Sequence, residues 1–291
     1  MPERLVLGRW EFDIAHRALV MGIVNRTPDS FTEKGRYFGF DACLARVEEM
    51  VAQGADVVDV GGVKAGPGPE VGLDEELERV VPVVSAVAGR FDVPVSVDTW
   101  RSEVAALAFE AGAVLGNDIS GFADPGYLPA AATAGAAVVA THIRLAPRIP
   151  DPDPVYEDVV DEVAERLTGL ASRAVEAGIA PESVIVDAGL DLGKTSEHSL
   201  ALLHASGKLA GLGFPLLVSA SNKTFLGAQL GLGVDERRDA SLGAAAIGIS
   251  LGARLVRAHD VAGTRRVCDA LEMVSAAREG HRQPFAARQG T

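Results

Sequence analysis

The chain has 291 residues, 48% of them hydrophobic and 5% aromatic, which suits either two ordinary domains or one α/β barrel of roughly 250 residues. The formal net charge of −13 argues against a duplex nucleic-acid binder, which needs a basic face, but leaves room for a local anion site built from a few placed cations. Apolar runs are broken by glycine or charge well before the ~20 residues of a membrane span. The opening MPERLVLGRW does not read as a secretory signal, and Cys43 and Cys268, far apart in sequence, read as reduced cytosolic thiols.

In chain order, LVLGRWEFDI alternates and reads as a hairpin that plugs the bottom of a barrel. Short apolar runs then recur at Val20–Val24, Val57–Val60, Pro94–Val97, Val114–Gly116, Ala137–Ala140, Val184–Val186, Leu216–Ser219 and Arg254–Val256, each a candidate buried parallel strand. Between them lie amphipathic stretches such as DACLARVEEMVAQGA, DEELERVVPVVSAVAGR and RSEVAALAFEAGA, and later YEDVVDEVAERLTGLASRAVEAG, ERRDASLGAAAIGISLG and VAGTRRVCDALEMVSAA. RLAPRIPDPDPVY, rich in proline and aspartate, reads as a long loop. About eight strand–loop–helix units without a dividing linker predict one (β/α)8 TIM barrel over residues 1–280, with a polar tail at 281–291. A doubly wound open sheet is the alternative.

In such a barrel the chemistry sits where strands give way to loops. Asp98, Asn117 and Asp187 stand at strand ends and offer a carboxylate–amide set, which matches a heterocycle edge carrying amino and ring N–H donors. Lys223, Arg257 and His259 form a second, cationic set suited to phosphate or pyrophosphate. Singly, each has a plainer reading: Asp98 as a helix cap, Asn117 in a turn, Asp187 beside a lysine, His142 as a structural histidine. Polar residues at nearly every strand end, converging on one mouth, favour a binding site. No zinc-type spacing, P-loop or dinucleotide fingerprint is present.

The segments MGIVNRTPDSF, DVGG, SVDTWRSEV, GNDISG, GKTSEHSLALL and RAHDV, in order from about Val20 to Ala277, resemble dihydropteroate synthase. The resemblance implies a cytoplasmic, usually dimeric barrel of folate biosynthesis. That enzyme joins a dihydropterin methyl diphosphate to p-aminobenzoate and releases pyrophosphate. By the resemblance, Asp98, Asn117, Asp187 and Lys223 would hold the pterin. Asn25, Arg257 and His259 would hold the diphosphate, with Mg²⁺ near Asn25. Phe31 and Pro67 would shape the aminobenzoate site, and Ser221 would contact the same substrate. Catalysis would rest on Lys223, Asp98, Arg257 and His259. A pterin-dependent methyltransferase barrel is a further alternative, weakened by TPDSF and RAHDV.

The departures from the pattern are specific. Where the family reads Gly-Gly-Glu-Ser-Thr-Arg-Pro-Gly, this chain has Gly61-Gly62-Val63-Lys64-Ala65-Gly66-Pro67-Gly68, so Ala65 and Gly66 replace the threonine and arginine. Lys64 offers a charge two positions earlier without the guanidinium fork. Asn222 replaces an arginine of Ser-Arg-Lys, Thr141 replaces a methionine before His142, and Thr32-Glu33-Lys34 replaces a Ser-Asp-Gly-like turn. These changes predict either a synthase with a variant loop or a diverged paralogue that keeps the pterin pocket with weak or no activity.

Overall fold

The computed structural model describes residues 2–27 and 39–278. A two-stranded antiparallel ribbon comes first, β1 (Arg4–Leu7) and β2 (Trp10–Asp13). Its two-residue turn places Gly8 at φ 57°, a conformation that suits glycine at the first turn position of a hairpin. Leu5 and Leu7 of the ribbon, with Ile14 after it, join the apolar cluster that fills the barrel interior. The Ser183 hydroxyl donates to the Val6 carbonyl, and Arg254 donates to that of Ala15. The predicted plug is therefore present at the N-terminal end of the strands.

The barrel follows. In chain order it comprises β3 (Leu19–Asn25), α1 (Phe40–Ala52), β4 (Val57–Gly61), α2 (Leu73–Arg90), β5 (Val95–Asp98), α3 (Ser102–Glu110), β6 (Leu115–Asp118), α4 (Tyr127–Ala134), β7 (Ala137–Thr141) and α5 (Val159–Glu176). It continues through β8 (Val184–Asp187), α6 (Ser196–His204), α7 (Ser206–Ala210), β9 (Leu216–Val218), α8 (Thr224–Leu230), α9 (Arg238–Ser250), β10 (Leu255–Ala258) and α10 (Val261–Arg278). The strands close in the order β10-β3-β4-β5-β6-β7-β8-β9, every neighbouring pair parallel. All eight predicted strands form, and the single (β/α)8 barrel is the fold. The boundary placed at residue 280 and the tail lie outside the described residues.

Helix α5 shows how pattern becomes packing. Its buried residues Val159, Val163, Leu167, Leu170 and Ala174 recur every three or four positions, so one stripe faces the barrel. Asp158 caps it, accepting from the amides of Val160 and Asp161 at 2.9 Å. Helix α2 carries Pro82 in its interior, which removes one amide donor and frees the carbonyl of Glu78. Arg26, just past β3, donates to that carbonyl at 2.8 Å. The proline thus becomes a docking point for the first barrel loop.

Strand parity sets the functional layer. In a strand successive side chains alternate between faces. Leu19 and Met21, Val57, Leu115, Val139, Ile185, Leu217 and Leu255 all point into the barrel. Two residues further along lie Ile23, Asp59, Asn117, Thr141, Asp187, Ser219 and Arg257, with Ser96 and Asp98 on β5. The lower interior is therefore apolar and the upper interior polar. Asp118, next to Asn117, falls on the opposite face. There it accepts from the amides of Ser120 at 2.6 Å and Phe122 at 2.9 Å, beneath the helices.

Candidate functional site

A cavity of about 580 Å³ opens at the C-terminal ends of the strands. Of the residues foreseen as a site, Asn25, Lys64, Pro67, Asp98, Ser221, Lys223, Arg257 and His259 line it. Asn117 and Asp187 lie beneath its surface, 3% and 6% exposed. Phe31 and the Thr32-Glu33-Lys34 turn lie outside the described residues.

The carboxylate set and the cationic set, separate by sequence, form one network. Arg257 Nε donates to Asp59 at 2.6 Å, and its Nη2 donates to Asp98 at 2.5 Å. Asn117 Nδ2 donates to the same Asp59 oxygen at 3.3 Å. The guanidinium foreseen as an anion clamp is thus already paired with the Asp59 carboxylate and hydrogen-bonded to Asp98. Asp98 is available for this because the first amide of α3, that of Ser102, is capped by Asp124 at 2.8 Å. Burial lifts the Asp98 carboxyl to about 7, against the pull of Arg257 and with the push of Asp59. Asp187 is also raised by burial; its oxygen accepts the Gly189 amide at 2.8 Å. Lys223 donates to the Leu190 carbonyl at 2.8 Å, and burial lowers its pKa against the opposing pull of Asp191 and Asp187.

His259 closes the β10 side. Its Nδ1 lies 2.9 Å from the Ser221 hydroxyl, and its own amide donates to that same oxygen at 3.1 Å. The Ser221 hydroxyl thus accepts from the His259 amide and also pairs with the ring nitrogen of the same residue. Burial first, then Arg257, Arg46 and Lys223, hold His259 down at about 3. His142 is held at about 3 by burial and Lys194, whose Nζ lies 2.9 Å from its Nδ1. Both rings are expected to stay neutral at pH 5 in imidazole NMR. The unfolded chain takes up those protons near pH 6.5. The histidine contribution to stability is thus complete above that pH and is lost as pH falls toward 3. An imidazolium signal from either ring at pH 5 would contradict this.

Two residues of the site are missing from the sequence-based set. Asp59 stands in the DVGG motif, and the alternation Val57, Asp59 points it inward. Lys194, in GKTSEHSLALL, lines the cavity, donates to the Leu192 carbonyl at 3.0 Å and is pushed down by burial to about 7. Its position on a loop leaves no periodicity to reveal it.

The upper interior also carries unspent polarity. Asp59 Oδ1, Ser96 Oγ and Thr141 Oγ1 are buried without a hydrogen-bond partner among the described residues. Buried polar atoms are ordinarily satisfied.

The chain matches the model of the pterin binding enzyme family over residues 21–259. It is 45% identical over 276 residues to "Inactive dihydropteroate synthase 2" of Mycobacterium leprae (strain TN), covering 93% of this chain and 94% of that protein. It is 38% identical over 270 residues to the dihydropteroate synthase of Synechocystis sp., covering 92% and 93%. Among solved structures, Burkholderia cenocepacia dihydropteroate synthase complexed with 7,8-dihydropteroate superposes with a TM-score of 0.86 at 39% identity, covering 96% of this chain and 99% of that one. With its closed barrel and its polar upper interior, the chain belongs to the dihydropteroate synthase family of pterin-binding enzymes.

Proposed function

We propose that this barrel binds a dihydropterin ring in its upper interior and has weak or no synthase activity. Asp98, Asn117, Asp187 and Lys223 hold the ring edge, with Asp59 as a further acceptor. Joining such a ring to p-aminobenzoate needs the departing diphosphate to be stabilised as its charge develops. The observation that carries the reading is the state of the anion side. Arg257 is matched by Asp59 and Asp98, His259 is neutral, and Gly66 and Asn222 stand where the family has arginines. Each lost contact to a charged group removes about 1.5–3 kcal/mol.

Asn25 is the residue proposed to face Mg²⁺. It offers one neutral oxygen, and the carboxylate beside it, Asp98, is committed to Arg257. Among the described residues no group of three His, Cys, Asp or Glu side chains could hold a metal ion. These residues do not make a site for a resident ion.

The test is a steady-state assay of the purified chain with dihydropterin diphosphate, p-aminobenzoate and Mg²⁺, beside a family member carrying the full second-loop motif. Turnover at least a hundredfold below that enzyme is expected. Equal turnover, or rescue of a strain lacking its own synthase, would overturn the reading.

A homodimer is part of the proposal. Leu200, Leu230, Ile247, Met273 and Val274, on α6, α8, α9 and α10, are between 39% and 61% exposed. Exposed apolar side chains of this kind suit burial against a second copy. Light scattering is expected to give twice the chain mass, and Ile247→Asp to shift it toward one chain. A monomeric wild type would refute the proposal. The cytoplasm is the proposed compartment, in keeping with the buried thiols of Cys43 and Cys268.

A further inference from the structure

The loop between β4 and α2, residues 62–72, supplies Val63, Lys64, Ala65, Gly66 and Pro67 to the cavity wall. Its two ends are fixed by arginines that also hold carboxylates. Arg79 donates to the Gly62 carbonyl at 2.9 Å and pairs with Glu75. Arg101 donates to the Val71 carbonyl at 2.8 Å and pairs with Glu76 at 2.5 Å. Between these ends the loop is thinly covered. Ala65 and residues 67–70 are exposed, and a side chain built at Gly66 meets nothing within 4 Å.

Arg148 holds that middle stretch from the β7–α5 loop, three strands round the barrel. Its Nη2 donates to the carbonyls of Gly68 and Pro69, and its amide donates to that of Ala65 at 3.1 Å. Among the described residues it has no carboxylate partner, so this clamp, unlike those of Arg79 and Arg101, lacks an opposite charge. The loop that carries Arg148 is itself seated. Arg144 holds Asp151 at 2.5 and 2.9 Å within it, and the Tyr156 hydroxyl donates to the Gly193 carbonyl of the β8–α6 loop at 2.8 Å. Arg148 also keeps a left-handed backbone, φ 67°, a cost borne by a residue fixed by its surroundings.

The latched loop has space on both sides. A second cavity, of about 330 Å³, is lined by Pro69, Glu70 and Val71 of the loop and by Glu75 and Arg79 of α2. Val63, Lys64 and Arg148 line both cavities and so form part of the partition between them. Moving residues 65–69 toward the second cavity breaks the Arg148 contacts and leaves those at Gly62 and Val71 in place.

We propose that Arg148 is a positioning residue that latches the β4–α2 loop across the cavity mouth, so that release of this latch sets how fast a ring-sized ligand enters and leaves. The inference goes beyond the pterin-binding reading, and its first test needs no ligand.

That test is limited digestion of the full chain with a lysine-specific protease, which cuts after Lys64 when the loop leaves its seat. Cleavage after Lys208, on α7, reports general loosening of the fold. Arg148→Gln is expected to raise the rate at Lys64 about fivefold or more with the Lys208 rate unchanged, and Arg148→Lys to recover part of the protection. An unchanged Lys64 rate would overturn the proposal, as would equal rises at both lysines. The second test is stopped-flow fluorescence with 6-hydroxymethylpterin. A gate speeds both directions alike, so Arg148→Gln is expected to raise association and dissociation rates together, with affinity kept within about threefold. Lost affinity at an unchanged association rate would make Arg148 a ligand contact and overturn the latch. If the folded wild type does not bind the probe, the pterin reading fails, and the protease result still decides whether Arg148 holds the loop.

Discussion

Gly66→Arg combined with Ala65→Thr is expected to raise affinity for the diphosphate-bearing dihydropterin about ten- to a hundredfold, with little effect on the bare ring. The local structure permits the change. A side chain built at Gly66 meets nothing within 4 Å, and its backbone is not in the left-handed region. The Ala65 carbonyl that accepts from Arg148 survives any side chain at that position. The loop is held elsewhere by Arg79, whose Nη1 donates to Gly62 at 2.9 Å, and by Arg101, whose Nη2 donates to Val71 at 2.8 Å. The new guanidinium therefore enters a loop of fixed course, and hydrogen bonds to a charged group are worth about 1.5–3 kcal/mol. Asn222→Arg is expected to give less. Asn222 has φ 56°, where asparagine is tolerated and a longer side chain meets a cost of about 1–2 kcal/mol. Calorimetry with Mg²⁺ present checks both, and no gain from the Gly66 variant would mean the loop does not face the anion.

Asp98→Ala is expected to abolish pterin binding, a loss of a hundredfold or more, while leaving the fold intact. Asp98 is the acceptor common to the ring network and to Arg257. Arg257 keeps Asp59 as its partner when Asp98 is removed, so no buried charge is stranded. The pH dependence gives a second signature. The Asp98 carboxyl titrates near 7 in the folded chain against 3.8 as its ordinary value, so between those pH values the folded state keeps a proton that the unfolded state has released. That contribution to stability is present below about pH 4 and is lost as pH rises to 7. Asp98→Ala removes this decline. Melting curves of the two proteins from pH 5 to 8 are expected to converge as pH rises. Parallel curves would show that Asp98 is ionised throughout.

Much of this was legible before any coordinates. Runs such as Val57–Val60 and Ala137–Ala140, short and rich in valine and alanine and recurring between amphipathic stretches, read as buried strands, and LVLGRWEFDI carries its own turn. Short helices were harder. Helix α4, YLPAAATA, has alanine on every side, and α8 is only seven residues long, so neither shows a polar face. In the site, residues on strands could be found from strand parity, which places Asp59, Asp98, Asn117, Asp187 and Arg257 inside. Residues on loops could not. Lys194 and Arg148 reach the cavity through the paths of two long connections, which no periodicity encodes. The pairing of Arg257 with Asp59 and Asp98 was equally hidden, because it joins strands 198 and 159 residues apart in sequence. That pairing changes the meaning of an arginine that the motif alone presents as an anion clamp.

The central claim is that the ring pocket persists while the diphosphate side has lost its pull. Paired calorimetric titrations of the wild type with 7,8-dihydropterin and with its methyl diphosphate plus Mg²⁺, at the same pH and salt, test it most directly. Measurable binding of the bare ring is expected, with a diphosphate affinity within about tenfold of it. A diphosphate complex a hundredfold or more tighter than the bare ring would contradict it.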